Sequence, residues 1–146
     1  MRICVLHGPN LNLLGTREPE LDGTETLPAI DERLRIRASE LGAQIETFQS
    51  NHEGQLVDRV QELADQVDGW LVNAAGLTHS SVALRDALVA SRKPFVEVHL
   101  TNIFSREPFR QRSLLSDVAL GVVSGFGARS YLFGLDGLVA GMRKTG

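Results

Sequence analysis

Short apolar runs recur along the chain at Ile3 to Leu6, Gln44 to Gln49, Leu71 to Val72, Phe95 to Leu100 and Ala119 to Val123. Runs of this length bounded by Gly, Asn, Ser or Pro suit strands, those richest in Val, Ile, Leu and Phe being buried on both faces. Between the first two, Leu27, Ile30, Leu34, Ala38 and Leu41 return at spacings of three and four, with Thr26 before them and Gly42 after. That spacing predicts an amphipathic helix with a hydroxyl cap at its start and a glycine at its end. A second helix carries Leu56, Val60, Leu63 and Val67 on one face, and a third runs from about Ser80 to Ser91 with Leu84 and Leu88. A last one aligns Tyr131, Leu135, Leu138 and Met142, although Gly134, Gly137 and Gly141 each weaken it by up to ~1 kcal/mol.

Strand and helix alternate throughout, which predicts an α/β fold: a doubly wound parallel sheet of five strands with helices on both faces. With 146 residues the chain has room for one domain, and its size suits a flavodoxin-like arrangement over residues 1–146. Such sheets bind ligands beyond the carboxyl ends of the strands, where strand order reverses. The longest irregular stretch, from Gly8 to about Glu25, exceeds an ordinary strand-to-helix loop and marks a binding element or lid around residues 16–24.

Charge narrows the partners. Fifteen Lys and Arg stand against 18 Asp and Glu, and the arginines do not run together, so a nucleic-acid groove is not expected. No window reaches the ~18 apolar residues of a membrane span, and the amino terminus enters a strand pattern without the features of a signal peptide. Cys4 is the one cysteine and lies in an apolar run, where it reads as a small core residue in a reducing compartment. These features predict a soluble, cytoplasmic protein.

His7, His52, His79 and His99 each fall at or just after the carboxyl end of one of the first four strands, which predicts that they converge on one rim. Asn10, Asn12, Asn51, Asn73, Thr78, Thr101 and Asn102 share those loops. Glu97 and His99 are two apart on a strand and therefore share a face, where a carboxylate can orient an imidazole that gives a proton to a leaving group. A bare polar pair at a strand end fits the spacing equally. The only lysines, Lys93 and Lys144, lie away from this rim, so a Schiff base is not expected. Arg17, Arg106 and Arg110 lie in loops beyond strands one and four and supply planar donors for a carboxylate or hydroxyls. Nucleotide-binding glycine fingerprints and zinc spacings are absent, so no metal is expected.

The segments Gly-Pro-Asn-Leu-Asn-Leu-Leu-Gly-Thr-Arg-Glu-Pro-Glu at 8–20, Gln-Ser-Asn-His-Glu-Gly at 49–54, Gly-Leu-Thr-His-Ser-Ser-Val-Ala at 76–83, Val-Glu-Val-His-Leu-Thr-Asn-Ile at 96–103 and Arg-Glu-Pro-Phe-Arg at 106–110 resemble type II 3-dehydroquinate dehydratase. The resemblance covers essentially the whole chain in order. It implies a cofactor-free flavodoxin-like subunit in a homo-oligomer, a dodecamer built from trimers, that dehydrates 3-dehydroquinate to 3-dehydroshikimate through an enolate. It assigns His99 to protonate the departing hydroxyl, Glu97 to hold His99, and Asn10 to position a water at the enolate oxygen. Thr101 and the Leu100 amide would receive the substrate carboxylate, Asn73, His79 and Arg110 the ring hydroxyls. Arg17 would sit on the lid, and Asp86 would reach a neighbouring subunit's site. One departure matters most, Asp22 standing where the family's lid tyrosine base is expected, with lesser ones at Ala74, Ala75 and Phe104. That departure keeps two other readings open, a paralogue acting on a related cyclic hydroxy-acid and a non-catalytic binder of such an acid.

Overall fold

Side-chain alternation builds the two-faced sheet. In the computed structural model, which describes residues 1–16 and 24–145, the strands are β1 (Arg2–His7), β2 (Gln44–Gln49), β3 (Gly69–Asn73), β4 (Phe95–His99) and β5 (Gly121–Ser124). The helices are α1 (Leu27–Glu40), α2 (Glu53–Leu63), α3 (Val82–Ser91) and α4 (Arg129–Thr145). Ile3 and Val5 of β1, Leu71 of β3 and Val96 and Val98 of β4 pack with Leu27, Ile30 and Leu34 of α1 and Tyr131, Leu135 and Leu138 of α4. Cys4 and Leu6, Trp70 and Val72, and Phe95 turn the other way, onto Leu56 and Val60 of α2 and Leu84 and Leu88 of α3. Two helices thus cover each face, because strand residues alternate with a period of two.

All ladders are parallel and the strand order is β2-β1-β3-β4-β5. Strand order reverses between β1 and β3, so a crevice opens past their carboxyl ends. Gly8 closes the gap there. Its amide donates to the Asn73 carbonyl at 2.8 Å, and a Cβ at residue 8 would come within 2.3 Å of the Ala74 oxygen. A second glycine explains the weakened last helix. A Cβ at Gly134 would lie 2.7 Å from Val98 Cγ2, so the residue that lowers helix propensity is the one that lets α4 approach the sheet.

Most element boundaries follow the sequence pattern, with local corrections. Thr26 caps α1 by accepting from the Ala29 amide at 3.3 Å, and Ser81 caps α3 by accepting from Leu84 at 2.9 Å, so that helix starts at Val82 rather than Ser80. Val67 lies past the end of α2 yet stays in the core, because the chain turns back after Leu63 toward β3. Ladder pairing of β5 begins only at Gly121, opposite Val96, while Ala119 packs against the α2–α3 side. Cys4 is fully buried, and burial, reinforced by the Glu46 charge and opposed by Arg59, pushes its thiol up to about 12. No described helix is long and apolar enough to cross a membrane.

Candidate active site

A cavity of about 250 Å³ lies at the carboxyl ends of β1, β3 and β4. The loop after β1 contributes Asn10, which takes up a left-handed backbone conformation (φ 69°) that asparagine tolerates. Its amide donates to Asn51 Oδ1 at 2.9 Å, and Gln49 Nε2 donates to that same oxygen at 3.1 Å and to the Gly8 carbonyl at 3.2 Å. The polar motif after β2 is therefore a brace for the β1 loop and does not line the cavity. Asn73 and His79 enter from β3 and the 3₁₀ turn Ala75–His79, and His99, Leu100, Thr101, Arg106 and Arg110 from β4 and the turns after it.

His99 and Glu97 are joined through Nε2 and Oε2 in a short hydrogen bond, both nearly or fully buried. Ser116 Oγ donates to Glu97 Oε1 at 2.6 Å and Ser113 Oγ to the same oxygen at 3.1 Å. Burial opposes the charge on Glu97, but the hydrogen bonds from His99, Ser116 and Ser113 outweigh it and hold the carboxyl below its ordinary range. Neither serine stood out in the sequence, where Ser-Leu-Leu-Ser looks like any polar turn. The even spacing of Glu97 and His99 found their pairing, and no spacing rule pointed to the segment that folds over them.

The other ligand-facing groups are held in defined orientations. His79 Nδ1 lies 2.6 Å from the Arg112 carbonyl; a carbonyl only accepts, so Nδ1 carries the hydrogen and Nε2 is left to accept from a hydroxyl. Arg106 Nη1 donates to Thr101 Oγ1 at 3.1 Å, which leaves the threonine hydrogen free for an anionic oxygen. Arg110 donates from Nε to Glu107 at 3.1 Å and lies over the Phe109 ring, so its terminal nitrogens remain for a ligand.

Two of the histidines predicted to converge on one rim lie at or just after their strand ends but do not line the cavity. His7 faces the α1–α4 side with Ile3 and Val5 because of its odd position on β1; it is fully buried against Tyr131 and Asp31. His52 is exposed at the start of α2, where its backbone carbonyl accepts from Gln55 and Leu56. Thr78 is buried, and Asp86 is exposed on α3 and absent from the cavity wall. Arg17 and Asp22 lie outside the described residues. No group of three or more His, Cys, Asp or Glu among the described residues is arranged to hold a metal ion.

The model of the dehydroquinase class II family matches residues 1–139. The chain belongs to this family. It is 59% identical over 143 residues to a 3-dehydroquinate dehydratase of Synechococcus sp. strain WH7803, covering 98% of this chain and 97% of that one. A 3-dehydroquinate dehydratase of Geotalea daltonii is 53% identical over 144 residues, covering 99% of this chain and all of the relative. Among solved structures, the type II dehydroquinase from Butyrivibrio crossotus superposes with a TM-score of 0.92 at 36% identity, covering 94% of this chain and 97% of the other. The flavodoxin-like fold expected from the sequence is thus that of a class II dehydroquinase.

Proposed function

We propose that this class II dehydroquinase dehydrates 3-dehydroquinate to 3-dehydroshikimate with the cavity beyond β1, β3 and β4 as its active site. The observation that carries the reading is His99, buried in the cavity wall and hydrogen-bonded to an ionised Glu97 that two serines also hold. In the reaction a proton leaves the carbon next to the ketone, an enolate forms, and His99 protonates the hydroxyl that departs as water. Glu97 orients the imidazole throughout. Asn10 positions a water against the enolate oxygen. The Leu100 amide and the Thr101 hydroxyl receive the substrate carboxylate, and Asn73, His79 and Arg110 bind the ring hydroxyls. Arg17 and Asp22 belong to the loop that would cover the substrate, with Asp22 at the position of the base. A cytoplasmic, reducing setting suits the single buried thiol.

Incubation of the purified protein with 3-dehydroquinate should produce the conjugated product, followed by its ultraviolet absorbance. Exhaustive chelation beforehand should leave the rate unchanged, because every role above falls to a side chain, an amide or water. Absence of turnover, with binding of the acid retained, would favour the non-catalytic binder instead.

Asp86 has a different task, since it lies outside its own cavity. It sits on α3 between Val82 and Val89, which are 57% and 52% exposed and share its face of the helix. We infer that this face is covered in a homo-oligomer, a dodecamer built from trimers, and that Asp86 there completes a neighbour's site. Light scattering should give a mass near twelve subunits of 15.9 kDa. A stable monomer with full activity would overturn the assignment of Asp86.

A further inference from the structure

Beneath Asn73 of the cavity wall lies a polar chain whose other members the reaction scheme leaves unused. Tyr131, on α4, is the only tyrosine of the protein and is fully buried. Asn73 Nδ2 donates to its hydroxyl at 3.0 Å, His7 Nδ1 lies 2.8 Å from that hydroxyl, and His7 Nε2 lies 2.8 Å from Asp31 Oδ1 on α1. The chain runs from the cavity wall, through the sheet's α1–α4 side, to a side chain that is 15% exposed.

The hydrogens in this chain follow from its partners. Asn73 Oδ1 accepts from the Ala75 amide at 3.1 Å, so the end of the carboxamide that faces Tyr131 must be the nitrogen. The tyrosine oxygen therefore accepts from Asn73, and its own hydrogen goes to the remaining neighbour, His7 Nδ1. With Nδ1 accepting, His7 carries its hydrogen on Nε2 and donates to the Asp31 carboxylate. Every bond points the same way, from Asn73 to Asp31. A buried polar group left without its partner is costly, so each member constrains the next.

We propose that Tyr131, His7 and Asp31 are positioning residues that act through Asn73, fixing the carboxamide so that its second N–H is presented to a ring hydroxyl of the substrate. This rests on the functional reading given above. The Ala75 amide alone would hold one end of a group whose terminal torsion is broad. Tyr131 holds the other end, and the His7–Asp31 pair sets which way the tyrosine hydrogen turns. Without the anchored acceptor, Asn73 could rock about its side-chain bond and offer the substrate a misplaced donor.

The test is a double-mutant cycle read by steady-state kinetics with 3-dehydroquinate. Tyr131→Phe keeps the ring and removes the hydroxyl; KM should rise about tenfold with a smaller change in kcat, the pattern of a lost substrate contact, and misplacement of ~1 Å is enough for that size of effect. Asn73→Ala should raise KM at least as far. The decisive variant is Tyr131→Phe combined with Asn73→Ala, which should be no worse than Asn73→Ala alone, since the tyrosine has then nothing left to position. A merely structural role for Tyr131 predicts losses that multiply, and that result would overturn the proposal. If Tyr131→Phe fails to fold, Asp31→Ala at the outer end of the chain gives the same cycle, with an expected two- to fivefold rise in KM that vanishes in the Asn73→Ala background; multiplying losses there would overturn the proposal equally. Lack of turnover by the unmodified protein would overturn the functional reading itself, and the relay with it, which separates the two failures.

Discussion

His99→Ala should lower kcat for 3-dehydroquinate by roughly 10²- to 10⁴-fold, the contribution of a positioned general acid. The size follows from the surroundings of the imidazole. It is 5% exposed, sits in the wall of the cavity and is fixed by Glu97, so no water molecule free to wander can take over the proton delivery with comparable alignment. The fold should survive, because the Glu97 carboxylate freed by the change keeps Ser113 and Ser116 as donors. Circular dichroism should accordingly remain that of the unmodified protein, with melting only moderately earlier. Glu97→Gln should do less harm to kcat than His99→Ala, since a carboxamide can still accept from His99 at one end. Near-normal turnover by His99→Ala would remove His99 from the role of acid.

Asp22→Tyr should raise kcat at least about tenfold with little change in substrate affinity, within the usual span for a general base. An aspartate is shorter than a tyrosine by several bond lengths, and a carboxylate with an ordinary pKa of ~4 is a much weaker base than a phenolate. A water could bridge the gap, at a cost in alignment. Nor can the protein draw on another phenol. Burial pushes the hydroxyl of Tyr131 well above its ordinary range, against the Asn73 hydrogen bond and with help from the Asp31 charge, and that hydroxyl is already engaged on both sides. Binding should hold because Asn73, His79, Thr101 and Arg110 all line the cavity. If the unmodified protein turns over rapidly and Asp22→Tyr slows it, then Asp22 is itself a competent base.

Periodicity made the layers of this fold readable from the residues alone. Alternation in β1 and β4 assigns each side chain to a face, and threefold and fourfold spacing in α1 and α4 finds the matching helical stripes. The same alternation also misleads when it is ignored at strand ends. Position in the chain put His7 and His99 at equivalent rims, but His7 shares the face of Ile3 and Val5, and the helices above that face bury it. Glu97 with His99 was legible because both partners lie on one strand. Ser113 and Ser116 were not, because a contact between a strand and a turn 16 and 19 residues later leaves no local spacing to find. The directions of the hydrogen bonds at His79 and Tyr131 likewise depend on neighbours that only the folded chain brings together.

The placement of Glu97 and His99 between Val96 and Val98 also bears on how faithfully the chain folds. Val96 and Val98 turn to the layer under α1 and α4, while Phe95, Glu97 and His99 turn the other way, Phe95 into the core and the pair toward the chemistry. A slip of β4 by a single residue would drive a carboxylate and an imidazole into the layer beneath α1 and α4, and would turn two valines toward the serines. Glu97 would lose the hydroxyls of Ser113 and Ser116, and burying a charge without its donors is costly. The register that buries Val96 and Val98 is thereby the same one that gives Glu97 its partners in His99, Ser113 and Ser116.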